Sequence, residues 1–155
     1  MAKRFKITIL IAVFFAVGWL WIFSQQAEEN LSAAKKEAVL LGSEKLDVWV
    51  VKKPDERKRG LSGMEKLVEV DGMLFVFEEE KRHPFWMKDM HFPIDIIWIS
   101  GERKVLEITY GVSPETYPDI FQPQQPVKYV IEVEAGRAEE INIEEGSVFS
   151  PNGRL

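Results

Sequence analysis

The sequence predicts a mainly β (α+β) fold: a compact small β-barrel or sandwich of 6–7 short strands with two short helices, preceded by one transmembrane helix. Three observations predict it. Residues 7–23 form a nearly unbroken apolar run. From Leu46 onward, apolar residues recur with a period of two. Gly, Pro and Asp-Gly steps then punctuate these runs at short intervals, as in small all-β folds.

The apolar run, Ile7 to Phe23, is interrupted only by Thr8 and Gly18. As a helix it spans roughly 25 Å, close to the lower limit for crossing a bilayer core. Trp19 and Trp21 sit where interfacial aromatics sit. Lys3, Arg4 and Lys6 precede the run, whereas the first acids, Glu28 and Glu29, follow it. The positive-inside bias makes residues 1–6 a cytoplasmic basic N-terminus and residues 7–23 a signal-anchor helix, with the remainder on the extracytoplasmic side. A cleaved signal peptide would have a shorter apolar core closely followed by a small-residue site, and Ser32-Ala33-Ala34 lies far from the run.

Residues 24–45 read as a stalk or linker, partly helical, with Leu31, Ala34, Ala38 and Leu41 at helical spacing and Gly42 as a stop. The β-rich domain is then expected over 46–155. Leu46–Val51 reads as a strand with Leu46, Val48 and Val50 on one face. Pro54 opens a helical turn that Gly60 closes. Asp71-Gly72 signals a hairpin joining Leu67–Val70 to Met73–Phe77. Met73–Phe77 and Ile94–Ile99 are apolar on both faces, so both are expected to be central. Lys104–Tyr110, Val127–Val133 and Ser147–Ser150 supply further strands, and Ala138–Ile143 a second helical turn. Gly111–Pro126, with four prolines, reads as a long loop or packed flap.

Composition excludes several function classes. The net charge is −5, and setting aside the three basic residues before the apolar run leaves 17 basic against 25 acidic residues. An acidic domain neutralises phosphates poorly, so nucleic acid is not an expected partner. No cysteine is present, which removes thiol nucleophiles and disulfides. The chain also has no Gly-x-Ser-x-Gly elbow, no His-Glu-x-x-His and no phosphate loop, and no cofactor is expected.

Several short blocks occur in order: Arg59-Gly60-Leu61, Gly72-Met73-Leu74-Phe75-Val76-Phe77, Phe85-Trp86-Met87-Lys88, Pro93-Ile94-Asp95-Ile96-Ile97 and Tyr129-Val130-Ile131-Glu132, then Gly136 and Ile143-x-x-Gly146. Over roughly Leu46 to Phe149 the sequence resembles the domain of unknown function 192 family of small, often exported, prokaryotic proteins. The resemblance implies a compact β-rich fold and frequent membrane attachment. It implies no established activity and transfers no catalytic residue. The sequence departs from the family at Met90, where a small polar residue is usual, and His91 is not a motif position.

The charged motif residues admit two readings. Asp95 shares a strand face with Ile97 and Ile99, where a lone carboxylate needs a partner, and Lys88 or Arg59 is the expected cation. On that reading Asp95 forms a buried structural ion pair, and Glu132 lies on a solvated face beside Lys128 and Glu134. On the other, Arg59, Lys88, Asp95 and Glu132 line a polar pocket walled by Trp86 and Met73, suited to an anionic or sugar-like ligand. Asp95 with Glu132 or Asp89 could alternatively form a hydrolytic carboxylate pair. His83, Met87, Met90 and His91 are candidate soft ligands for Cu(I). The expectation is a membrane-anchored, non-catalytic domain that binds a small ligand or an envelope protein.

Overall fold

The computed structural model describes residues 35–151. Its strands are β1 (Lys35–Leu41), β2 (Glu44–Val51), β3 (Gly72–Lys81), β4 (Ile94–Ile99), β5 (Val105–Val112), β6 (Val127–Glu134) and β7 (Phe149–Pro151). Two short helices, α1 (Pro54–Arg59) and α2 (Arg137–Glu140), complete it. No helix among the described residues is long and apolar enough to cross a membrane. The apolar run at 7–23 and the first part of the stalk lie outside the described residues.

The strands form one sheet in the order β5-β4-β6-β3-β2-β1-β7, antiparallel except for the β2–β3 pair. The sheet curls into a half-barrel. Its outer strands approach each other where Lys104 bridges Val148 and the Val105 N–H donates to the Ser147 carbonyl at 2.9 Å. The concave face holds the main core: Leu46, Val48, Leu74, Ile97, Ile131 and Phe149 are all completely buried there. These are the alternate residues of the period-two pattern, as expected from strands with one face inward.

Two readings of the sequence are corrected. Lys35–Leu41 is a strand, so this part of the 24–45 stalk is not helical and the folded domain begins before residue 46. Val39 and Leu41 are buried at a spacing of two, and β1 pairs with both β2 and β7. Gly42, with φ 60°, sits in the two-residue turn of the β1–β2 hairpin rather than at a helix end. Nor does Asp71-Gly72 form a hairpin. Gly72 opens β3, which runs parallel to β2, and parallel neighbours require a crossover, here the segment containing α1. Gly72 lies between Val48 and Val133, and a Cβ there would stand 2.3 Å from the Glu132 carbonyl oxygen. Close backbone approach, not turn geometry, demands this glycine.

Asp95 holds three elements together. Its carboxylate is fully buried on the concave side of β4, with no cation paired to it among the described residues. Oδ1 accepts the Gly111 N–H at 2.9 Å, and Oδ2 accepts those of Gly136 at 2.9 Å and Ala138 at 3.2 Å. The register slips between Ile94 and Ile96, so β5 bulges opposite Asp95, with Gly111 at φ 58°. Gly136, at φ 86°, caps α2. The expected ion pair of Asp95 with Lys88 or Arg59 is therefore replaced by amide donors, which meet a buried carboxylate's needs without desolvating a second charge. Asp95→Ala strips three buried donors of their acceptor and is expected to lower stability by roughly 3 kcal/mol or more. Denaturant unfolding of the purified chain measures it; unchanged stability would deny Asp95 this role.

Candidate functional site

The opposite, convex face of β3, β4 and β6 is also covered. Met73, Phe75, Ile96, Trp98 and Val130 point that way and are buried. The cover consists of α1 and the segments around residues 60–64 and 85–90. Pro54 opens α1, and Glu56 folds back to accept the Lys53 N–H at 3.2 Å. Gly60 ends it at φ 53° and donates its N–H to the Glu56 carbonyl. A Cβ at Gly60 would press on the Phe75 ring at 3.3 Å, so the glycine lets the helix end close onto the sheet. Ser62 Oγ donates to the Lys88 carbonyl at 2.8 Å, and the Gly63 N–H to that of Asp89 at 2.7 Å, tying the two covering segments together.

Between cover and sheet lies a cleft of about 240 Å³. The end of α1 with Gly60–Ser62 forms one side; Phe75, Phe77, His83, Phe85, Trp86 and Met90 supply most of the rest. Phe85 is the hub of the aromatic wall, edge-on to Phe75 at 5.0 Å and to Trp98 at 5.3 Å. Arg57 sits 4.9 Å over the Phe77 ring and donates to the Val76 and Lys52 carbonyls. His83 stacks on Phe77 at 3.5 Å with Nε2 against the Glu79 carbonyl, and burial lowers its pKa. The long loop is a packed flap: Phe121 and Phe85 exchange backbone hydrogen bonds, and Arg82 Nε donates to the Pro123 carbonyl at 2.7 Å.

Glu132 lines this cleft. It lies between Met73 of β3 and Ile96 of β4, is only 5% exposed, and forms no hydrogen bond or ion pair with any described residue. The expectation of a solvated face for Glu132 is corrected. Lys128 and Glu134 lie toward the ends of the same face, whereas Val130 and Glu132 lie under the cover. Burial pushes the Glu132 carboxyl up to about 8.

Of the sequence-predicted pocket, Arg59, Trp86 and Glu132 meet in the cleft. Lys88 is exposed and outside the lining, Met73 is buried in the sheet, and Asp95 faces the concave core. Asp95 and Glu132 thus point to opposite faces of one sheet and cannot act as a carboxylate pair. Asp89 is exposed in a turn at φ 56°. Of the four proposed copper ligands only His83 and Met90 line the cleft; Met87 is buried in the core and His91 Nδ1 stands 4.0 Å from Glu65. Sequence reasoning missed Arg57, Lys58 and the Phe75–Phe77–Phe85 wall. The consecutive cations of α1 and the convex-face aromatics of β3 were the available signals.

The Glu132 carboxyl has a pH signature. Its folded value, about 8, exceeds the ordinary 4.5, so between the two the folded state keeps a proton that the unfolded chain has lost. This stability is fully present below the lower value and is lost as pH rises to the upper, by up to roughly 1.4 kcal/mol per pH unit. Glu132→Gln is expected to flatten that slope. Denaturant midpoints of both forms across the interval measure it; parallel profiles would contradict a buried, neutral Glu132.

Comparison with known proteins agrees with this architecture. Residues 37–150 match the family model of DUF192, "Uncharacterized ACR". A crystal structure from Sinorhizobium meliloti 1021, described as a candidate transcription regulator, is similar with a TM-score of 0.72 and 28% identity, covering 78% of this chain and 97% of that one. A protein of unknown function from Novosphingobium aromaticivorans DSM 12444 shares the fold with a TM-score of 0.73 and 22% identity, covering 77% of this chain and 88% of that one. No curated protein matches. The ordered sequence blocks, the curled sheet and the family match together make this chain a member of the domain of unknown function 192 family.

Proposed function

We propose that this chain is a membrane-anchored, extracytoplasmic and non-catalytic module that binds a small ligand in the cleft above Glu132. One observation carries the proposal: a buried carboxyl with no partner among the described residues faces an aromatic-lined opening. No fully buried side-chain oxygen among the described residues lacks a partner, so the Glu132 carboxyl keeps access to the opening, where a ligand can hydrogen-bond to it. Trp86, 40% exposed at the cleft, offers a large apolar surface for the same ligand. Binding without turnover is supported by the surroundings of the histidine that lines the cleft. His83 is stacked and has one ring nitrogen at a carbonyl, a poor arrangement for proton shuttling.

The anchor rests on the sequence: the apolar run at 7–23 behind three basic residues argues for a single pass with the N-terminus inside. Residues 24–34 then serve as the linker. A chain of net charge −5 neutralises phosphates poorly, which argues against nucleic acid as its partner.

Two experiments test these parts. A reporter active only after export, fused behind Leu155, is expected to be active and to stay with membranes through a high-salt wash; a shortened soluble product would point to a signal peptide. The full chain in detergent, melted against a panel of small organic acids, amines and sugars, is expected to gain thermal stability from at least one of them. That gain should be absent in Trp86→Ala. No stabilisation by any compound would overturn the cleft as a binding site.

A further inference from the structure

We propose that the cleft selects a small organic carboxylate with a single-ring apolar body, placing its anionic head between Glu132 and the cations of α1. This rests on the cleft being a binding site at all and goes on to assign the class of ligand.

Charge comes first. Arg57, Lys58 and Arg59 line the cleft, and among the described residues Glu132 is the one carboxyl in the lining. In a protein of net charge −5 this is a local reversal of sign, and it favours an anion over a cation. The groups around Glu132 agree. The cations of α1 line the same cleft, and His83, after β3, is held toward its neutral form by burial. On the sheet its ladder neighbours Met73 and Ile96 are apolar, and the next acid along β6, Glu134, is exposed.

An organic cation is the main competitor, since aromatic walls with a carboxylate suit ammonium groups. Arg57 already occupies a face of Phe77, however, and a further cation would enter against three like charges. Burial with no partner among the described residues also favours the neutral carboxyl of Glu132, which donates a hydrogen bond and so complements an acceptor. A ligand carboxylate accepting from Glu132 shares one proton between two carboxyls, and α1 supplies the compensating charge.

Size narrows the body of the ligand. A cavity of about 150 Å³ accommodates benzene. The cleft, at about 240 Å³, therefore has room for one ring with its carboxylate and falls short of the volume that encloses a drug-sized ligand.

Three probes of one shape decide the class: benzoate, benzyl alcohol and benzyltrimethylammonium, titrated into the full chain in detergent at pH 6.5 and 9.5. Benzoate is expected to bind at pH 6.5 at least ten-fold tighter than the other two. It should weaken ten-fold or more at pH 9.5, where Glu132 loses the donated proton and adds a like charge. Glu132→Gln keeps a donor but cannot ionise, so its weaker benzoate binding should be the same at both pH values. Lys58→Gln should weaken benzoate several-fold without affecting benzyl alcohol. Preference for the ammonium or the alcohol would overturn the assignment while leaving the cleft a binding site. A pH loss that persists in Glu132→Gln would overturn Glu132 as the proton donor. Failure of all three probes, with another compound stabilising the protein through Trp86, would overturn the class alone.

Discussion

The fold depends on one carboxylate and the three amides that surround it. Asp95 stands on β4 and draws in the bulge of β5 at Gly111 and the start of α2 at Gly136 and Ala138. These segments lie far apart in sequence and share no other charged contact with β4 among the described residues. Hydrogen bonds to an ionised acceptor contribute roughly 1.5–3 kcal/mol each, enough together to offset burying a charge that has no counter-ion. The two glycines follow from the same requirement. Both adopt positive φ, and both turn an N–H toward a point inside the core.

The same sheet buries a second carboxyl under the opposite conditions. Glu132 is one strand away from Asp95, on the other face, between two apolar neighbours and without a donor among the described residues. A rise from 4.5 to about 8 corresponds to roughly 5 kcal/mol against ionisation. Asp95 is therefore a closed interaction and Glu132 an open one, although both reside in motif blocks of similar appearance. That asymmetry distinguishes the structural acid from the candidate site acid. The covering helix adds positive charge and the aromatic wall adds apolar surface, so a neutral carboxyl, cations and rings meet in one opening.

Much of the fold was legible in the sequence. Strands β2, β3, β4 and β6 and helix α1 fall where alternation, two-faced apolar runs and the Pro54–Gly60 bracket put them. The strand β1 was not legible, because Leu31, Ala34, Ala38 and Leu41 fit a helical period while Val39 and Leu41 fit a strand; pairing with β2 and β7 decides between them. Asp71-Gly72 misled because a glycine required by close backbone packing has the same letters as one required by a turn. The partners of Asp95 were invisible because backbone amides carry no side-chain signature. Arg59, Trp86 and Glu132, grouped from the sequence, line one cleft, but one reading assigned Glu132 to solvent. Its flanking strands are apolar on both faces, and a residue between two such strands has no open face to occupy.

The state of the Glu132 carboxyl is the most direct measure of this asymmetry. Carbon-13 resonances of glutamate side-chain carboxyls, followed through a pH titration of the labelled protein and assigned by Glu132→Gln, report it without reference to stability or ligand. One resonance is expected to titrate near 8 and to vanish in the variant. If Glu132 instead titrates with the exposed glutamates near its ordinary value, it is solvated or paired, and the cleft loses the feature that marks it as a site.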